Sequence, residues 1–66
     1  MNEINLKNKT VLITGGTGSF GSTFLKELVK TNVRNIKILS RDELKQYDQR
    51  AKINDHRISY FLGGRV

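Results

Sequence analysis

Gly15, Gly18 and Gly21 stand three residues apart in TGGTGSFG, between a run of β-forming residues, KTVLIT, and a stretch whose apolar side chains return at helical intervals. The chemistry open to such a string is anion binding. A tight turn needs a residue without Cβ, a pyrophosphate needs main chain at close range, and a helix that starts there must pack directly on its strand. A helix opening at Ser19 leaves the amides of Ser19 to Ser22 without intrahelical acceptors. Those donors and the positive end of the helix dipole converge on one point.

Two other interpretations of the glycines are weaker. A merely flexible turn does not require the strand before it and the helix after it, and both are present. The phosphate loop of nucleoside triphosphatases shares the four-residue gap between Gly16 and Gly21, but its lysine should come next, and Ser22 stands there.

The second candidate cluster is Ser40-Arg41-Asp42, about 25 residues beyond Gly15, close to the roughly 20 at which a dinucleotide fold recognises its adenosine ribose. A carboxylate there suits NAD, whereas a basic side chain suits the 2′-phosphate of NADP. Arg41 offers a bidentate fork, Ser40 a hydroxyl donor, and Lys45, one turn into the next helix, reaches the same oxygens. Ser40 and Glu43 also have the spacing of a capping box, in which case Arg41 would be a solvated side chain. Ser40 can do both through different atoms.

The elements that must position these residues follow from periodicity. Lys9 to Thr14 forms a short continuous strand of the kind buried on both faces of a parallel sheet. From Ser19, the residues Phe20, Phe24, Leu25, Leu28 and Val29 gather on one helical face, ending near Asn32, which tolerates a left-handed cap. Ile36 to Ser40 is a second strand, and Asp42 to about Lys52 a second helix with Leu44, Tyr47 and Ala51 inward. After a turn at Asn54-Asp55, Arg57 to Leu62 is a third strand. Strand, helix, strand, helix, strand with short connections predicts an α/β fold, a three-stranded parallel sheet with right-handed crossovers. It is half of a Rossmann-like doubly wound fold, a single partial domain over residues 1–66 that stops after its third strand.

Composition restricts the alternatives. A chain of 66 residues with 36% hydrophobic and 27% charged residues reads as globular, although one this short buries only roughly 60% of its unfolded surface. It has no cysteine, which removes disulfides, thiolate metal sites and thiol nucleophiles and fits the cytoplasm. MNEINLKNK lacks the apolar core of a signal peptide, and no apolar run approaches a membrane span. A net charge of +6 invites a polyanion, but no two basic residues are adjacent and interleaved aromatics are missing, so a solvated surface is favoured over nucleic acid. His56, in a turn beside Asp55, reads as surface decoration, and no metal site is expected.

These residues resemble a known family. KNKTVLITGGTGSFGSTFL with ILSRDELKQ is similar to the start of the extended short-chain dehydrogenase/reductases, in their polysaccharide-biosynthesis branch of UDP-N-acetylglucosamine 4,6-dehydratases. The resemblance covers residues 7 to 62, and the stretch from Ser40 to Gln46 is its more particular part. It implies an NADP-holding enzyme that oxidises the sugar at C4, eliminates water across C5 and C6 and returns the hydride. Carried onto this chain, it assigns Gly15, Gly18, Ser19, Phe20 and Gly21 to the pyrophosphate and Ser40, Arg41 and Lys45 to the 2′-phosphate. Where the family typically has Gly-Asp-Val-Arg after the third strand, with an aspartate for the adenine, this chain has Gly63-Gly64-Arg65-Val66. The family's catalytic Tyr-x-x-x-Lys has no counterpart here. Four residues beyond Tyr47 and Tyr60 stand Ala51 and Gly64, so neither tyrosine has the lysine that would lower its pKa. The chain is thus expected to bind NADP without being catalytic alone. The alternative is a small basic self-associating or nucleic-acid-binding module without enzymatic activity. An exposed apolar edge at KTVLIT, or an uncovered sheet face, also predicts self-association into a homo-oligomer.

Overall fold

A computed structural model of the chain describes residues 5–63. The elements run β1 (Thr10–Thr14), α1 (Ser19–Leu28), β2 (Asn35–Ser40), α2 (Glu43–Lys52) and β3 (Ile58–Leu62). The three strands form one parallel sheet in the order β1-β2-β3, with Val11 opposite Ile36, Ile36 opposite Ile58, Ile13 opposite Ile38, and Ile38 opposite Tyr60. This is the expected half of a Rossmann-like doubly wound fold. Gly64, Arg65 and Val66, where the sequence departs from the family pattern, lie outside the described residues.

One face of the sheet carries the core. Ile13, Ile36 and Ile38 are buried against Leu25 and Leu28 of α1 and Val33 of the following turn, with Val11, Ile53, Ile58 and Tyr60 packed around them. Successive same-handed crossovers in a 1-2-3 strand order place both helices on that face. The opposite face presents Leu12, Lys37 and Ser59 in one row and Thr14, Leu39 and Phe61 in the next. Leu12 is 59% exposed. The expectation that KTVLIT is buried on both faces is therefore corrected. A side chain on β1 alternates between covered and open, and among the described residues both helices lie on the same side.

One helix boundary and one helix cap also differ from the sequence reading. The first helix ends at Leu28 rather than near Asn32, because Thr31 caps it early: its hydroxyl donates to the Leu28 carbonyl (2.6 Å) and accepts from the Val33 amide (3.2 Å). Asn32 takes no left-handed conformation. Its side-chain oxygen instead accepts from the Leu6 amide at 2.8 Å. The second helix begins on Asp42, whose Oδ1 accepts from the Lys45 amide (3.0 Å), so the capping box expected from Ser40 and Glu43 does not form. Ser40 is still in β2, and its Oγ accepts from the Asp42 amide (3.2 Å).

The larger correction concerns the inward face of α2. Leu44 (70% exposed) and Tyr47 (69%) point outward with Ala51, whereas Gln46 and Gln49 are buried. The inward face lies two positions on from the apolar assignment, nearly the opposite side of the helix, and is anchored by Ile53 packed against the core and by amide hydrogen bonds to the sheet and the glycine turn. On α1, Leu25 and Leu28 are inward as expected, while Phe20 is 83% exposed and stacks on Phe24 with ring centroids 6.3 Å apart.

Candidate functional site

The site lies at the carboxyl ends of the strands, where chains of this topology leave a crevice. The turn from β1 to α1 starts with Gly15, whose φ of +64° is the left-handed conformation that suits glycine, and the Gly15 amide donates to the Leu39 carbonyl at 2.8 Å. The other glycines differ in what requires them. A Cβ on Gly21 would come within 2.5 to 2.7 Å of the Gly16 backbone, and one on Gly16 within 2.8 Å of the Ile38 side chain. Those two let the helix and the turn close on each other and on the sheet. Gly18 has an ordinary extended backbone, and a Cβ there would meet only the Gly15 carbonyl at 3.6 Å. Nothing within the described residues demands its missing side chain.

Gly18 is also the N-cap of α1, so this helix starts without a side-chain cap and without an acidic residue in its first turn. The amides of Ser19, Phe20 and Gly21 precede the first i→i−4 bond, which runs from Ser22 to Gly18 at 2.9 Å. The start of α2 is the opposite case, closed by Asp42 with Glu43 beside it.

Next to the turn, an open pocket of about 650 Å³ is lined by Thr14, Gly15, Leu39, Ser40, Arg41, Asp42, Glu43 and Gly63. It brings Gly15, Ser40 and Arg41 together. Lys45 is not part of it; that side chain lines a separate groove of about 290 Å³ between the helices, with Thr17, Ser22 and Lys26. Arg41 and Lys45 are both exposed. Ser40 is buried, and the Thr17 hydroxyl donates to its Oγ at 3.3 Å, which links the glycine turn to the end of β2 and leaves the Ser40 proton free to donate.

Several contributors escaped the sequence analysis. Thr17 sits inside the glycine string, where nothing local marks its hydroxyl as a partner of Ser40. Gly16 was weighed only for a phosphate loop. Gln46 and Gln49 are buried amides bonded to the site, and the signal for them was their spacing with Ile53, which puts all three on one helical face. Tyr60, considered only for catalysis, donates its hydroxyl to Gln49 Oε1 at 2.9 Å. Burial pushes its pKa up, outweighing the Arg50 guanidinium 4.9 Å from its ring, so the phenol stays a neutral donor.

The residues present fit a dinucleotide: an uncapped helix start, a left-handed glycine before it, and space at Gly18 that no described residue fills. Fold and turn together define the class as the first half of a Rossmann-like α/β unit. A family described as "Polysaccharide biosynthesis protein" matches residues 11–63, and the chain belongs to that family, as its resemblance to the extended short-chain dehydrogenase/reductases led us to expect. Among curated proteins it is 45% identical over 60 residues to a UDP-glucose 4-epimerase of Rickettsia prowazekii and 48% identical over 60 residues to one of Rickettsia bellii. In each case the match covers 85% of this chain and 18% of the relative. Among solved structures it superposes on the X-ray structure of Pen from Bacillus thuringiensis with a TM-score of 0.82 and 31% identity, covering 91% of this chain and 19% of that one. The chain thus spans less than a fifth of the length of these relatives.

Proposed function

We propose that this chain is the NADP-binding segment of a nucleotide-sugar enzyme, of the UDP-N-acetylglucosamine 4,6-dehydratase type, and that it supplies the cofactor site but no catalytic group. The observation that carries this is the uncapped start of α1 at Gly18, beside a pocket that joins Gly15 to Ser40 and Arg41. The amides of Ser19, Phe20 and Gly21 hold the pyrophosphate, Arg41 and the Ser40 hydroxyl hold the 2′-phosphate, and Lys45 swings from its groove to the same oxygens. A dinucleotide held there would supply a hydride acceptor for the sugar C4, and these residues would fix where its adenosine half sits.

The curated relatives favour a second activity, epimerisation of a UDP-hexose, on the same cofactor site. A longer protein carrying this segment separates the two when given UDP-N-acetylglucosamine. A dehydratase product has lost one water in mass, and an epimerase product has not. In either case the segment works in the cytoplasm, and copies self-associate through the open sheet face at Leu12, Leu39 and Phe61, which sedimentation of the chain at high micromolar concentration would reveal.

The cofactor claim is tested by titrating NADP and NAD against the chain labelled for NMR. Movement of the amide signals of Gly15 to Ser22, with NADP the tighter ligand, is expected. No movement at millimolar NADP refutes cofactor binding, and equal affinity for the two refutes the assignment of Ser40 and Arg41 to the 2′-phosphate.

A further inference from the structure

Two buried amides lie under α2 where a helix of this kind ordinarily presents apolar side chains. Gln49 Nε2 donates to the Gly16 carbonyl at 2.8 Å and to Ser22 Oγ at 3.0 Å, while its Oε1 accepts from the Tyr60 hydroxyl at 2.9 Å. Gln46 Nε2 donates to the Phe61 carbonyl at 2.9 Å and lies 3.4 Å from both the carbonyl and the Oγ of Ser40. We infer that Gln49 and Gln46 are positioning residues, the first fixing the glycine turn and the second fixing the end of β2, so that α2 sets the geometry between the two halves of the site. The inference rests on the dinucleotide reading above.

A leucine at either position would fill similar space with no amide to desolvate and less rotamer freedom to lose. What an amide adds is direction, because a hydrogen bond fixes both distance and angle to its acceptor. The acceptors are informative. The Gly16 peptide is where the turn meets Ile38 of the sheet and Gly21 of α1, and Gln49 adds the tie from α2. That peptide leads into Thr17, whose hydroxyl meets Ser40. Gln49 is itself oriented by Tyr60, so its donors can point only at the turn and at α1. Gln46, three residues earlier on the same face, does for Ser40 what Gln49 does for the glycines. Neither amide touches the pocket that would receive the ligand.

The test uses the full 66-residue chain, with NADP and NAD as probes and amide hydrogen exchange measured without ligand. Gln49→Leu should weaken both ligands by the same factor, about fivefold for one lost directing bond, and leave their ratio unchanged. Gln46→Leu should weaken NADP but not NAD, compressing the preference by a similar factor. A purely structural role lowers the thermal midpoint without this split, and affinities that are unchanged, or reduced alike in both variants, overturn the inference. If the wild-type chain binds neither probe, the dinucleotide reading fails on its own account and exchange decides the positioning claim. Gln49→Leu should then speed exchange selectively at Gly18 and Ser22, and Gln46→Leu at Asp42 and Gly63, whose amides donate to Ser40. Uniform acceleration, or none, overturns it. Tyr60→Phe keeps the ring and removes only the donor to Gln49, so it should reproduce the Gln49 pattern in weaker form even where a leucine variant is too unstable to study.

Discussion

The helices α1 and α2 have the same length, follow strands of the same sheet and cover the same face, yet they are held by opposite means. Under α1 lie Leu25 and Leu28, whose contact with Ile13 and Ile36 is non-directional. Under α2 lie Gln46 and Gln49, bonded to named carbonyls. Their ends are reversed as well. The first helix is bare at its start and closed at its exit, where the Arg57 guanidinium donates to the carbonyls of Val29, Thr31 and Val33. The second is capped at its start by Asp42. The difference shows two ways of holding a helix on one face: a helix fixed by its core and its exit can leave its start free for an anion, and a helix bonded through amides can set the angle of its neighbour's turn.

The largest break in this comparison should come from removing the apolar attachment. Leu25 is fully buried, and Leu25→Ala should cost about 2 to 5 kcal/mol, read as a lower midpoint in urea. In a chain this small that is a large share of the total stability, and partial unfolding at room temperature is expected. A loss under about 1 kcal/mol would mean that α1 is not held by its leucines.

The two helix starts can be exchanged. Asp42→Ala removes the cap of α2 and should cost about 1 kcal/mol, whereas Gly18→Asp gives α1 the cap it lacks and should change stability by only a few tenths. The same Gly18→Asp puts a carboxylate where the pyrophosphate is proposed to dock and should abolish the NADP-induced amide shifts. Retained binding would place the anion elsewhere.

A smaller effect comes from the exit of α1. Arg57 donates to both Asp55 oxygens, through Nε at 3.0 Å and Nη2 at 2.9 Å, and those bonds with the Arg57 amide hold the Asp55 carboxyl down to about 2. A carboxyl that is more acidic folded than unfolded stabilises fully above its ordinary value of 3.8 and loses that contribution as pH falls toward 2. The pair is partly solvated, so the loss should be under about 1 kcal/mol. Stability measured from pH 5 to pH 2 in wild type and Asp55→Asn should converge at the acid end, and parallel curves would assign the acid loss to other carboxylates.

Much of this was legible in the sequence, and the parts that were not share a cause. The strand–glycine–helix order could be read because glycine spacing and β-branched runs are local signals, and the placement of Leu25 and Leu28 followed from apolar periodicity. The orientation of α2 was not readable by the same rule, since its buried residues are amides whose partners, Gly16 and Phe61, are distant in sequence. Periodicity counts apolar residues and has no means of crediting a glutamine that meets a carbonyl 33 positions away. The open face of β1 was misjudged for a related reason, because a continuous apolar strand does not reveal which of its faces another element covers.

The smallest effect is therefore the sharpest check on the comparison. If the amides rather than the apolar residues hold α2, Leu44→Ala should change stability by no more than about 0.5 kcal/mol, since the side chain already lies in solvent. Had Leu44 faced the sheet, the same substitution would cost about 2 kcal/mol or more. Two chains that differ by one side chain and melt together would show that Leu44 does not hold α2 to the sheet, as expected where Gln46, Gln49 and Ile53 form its inward face.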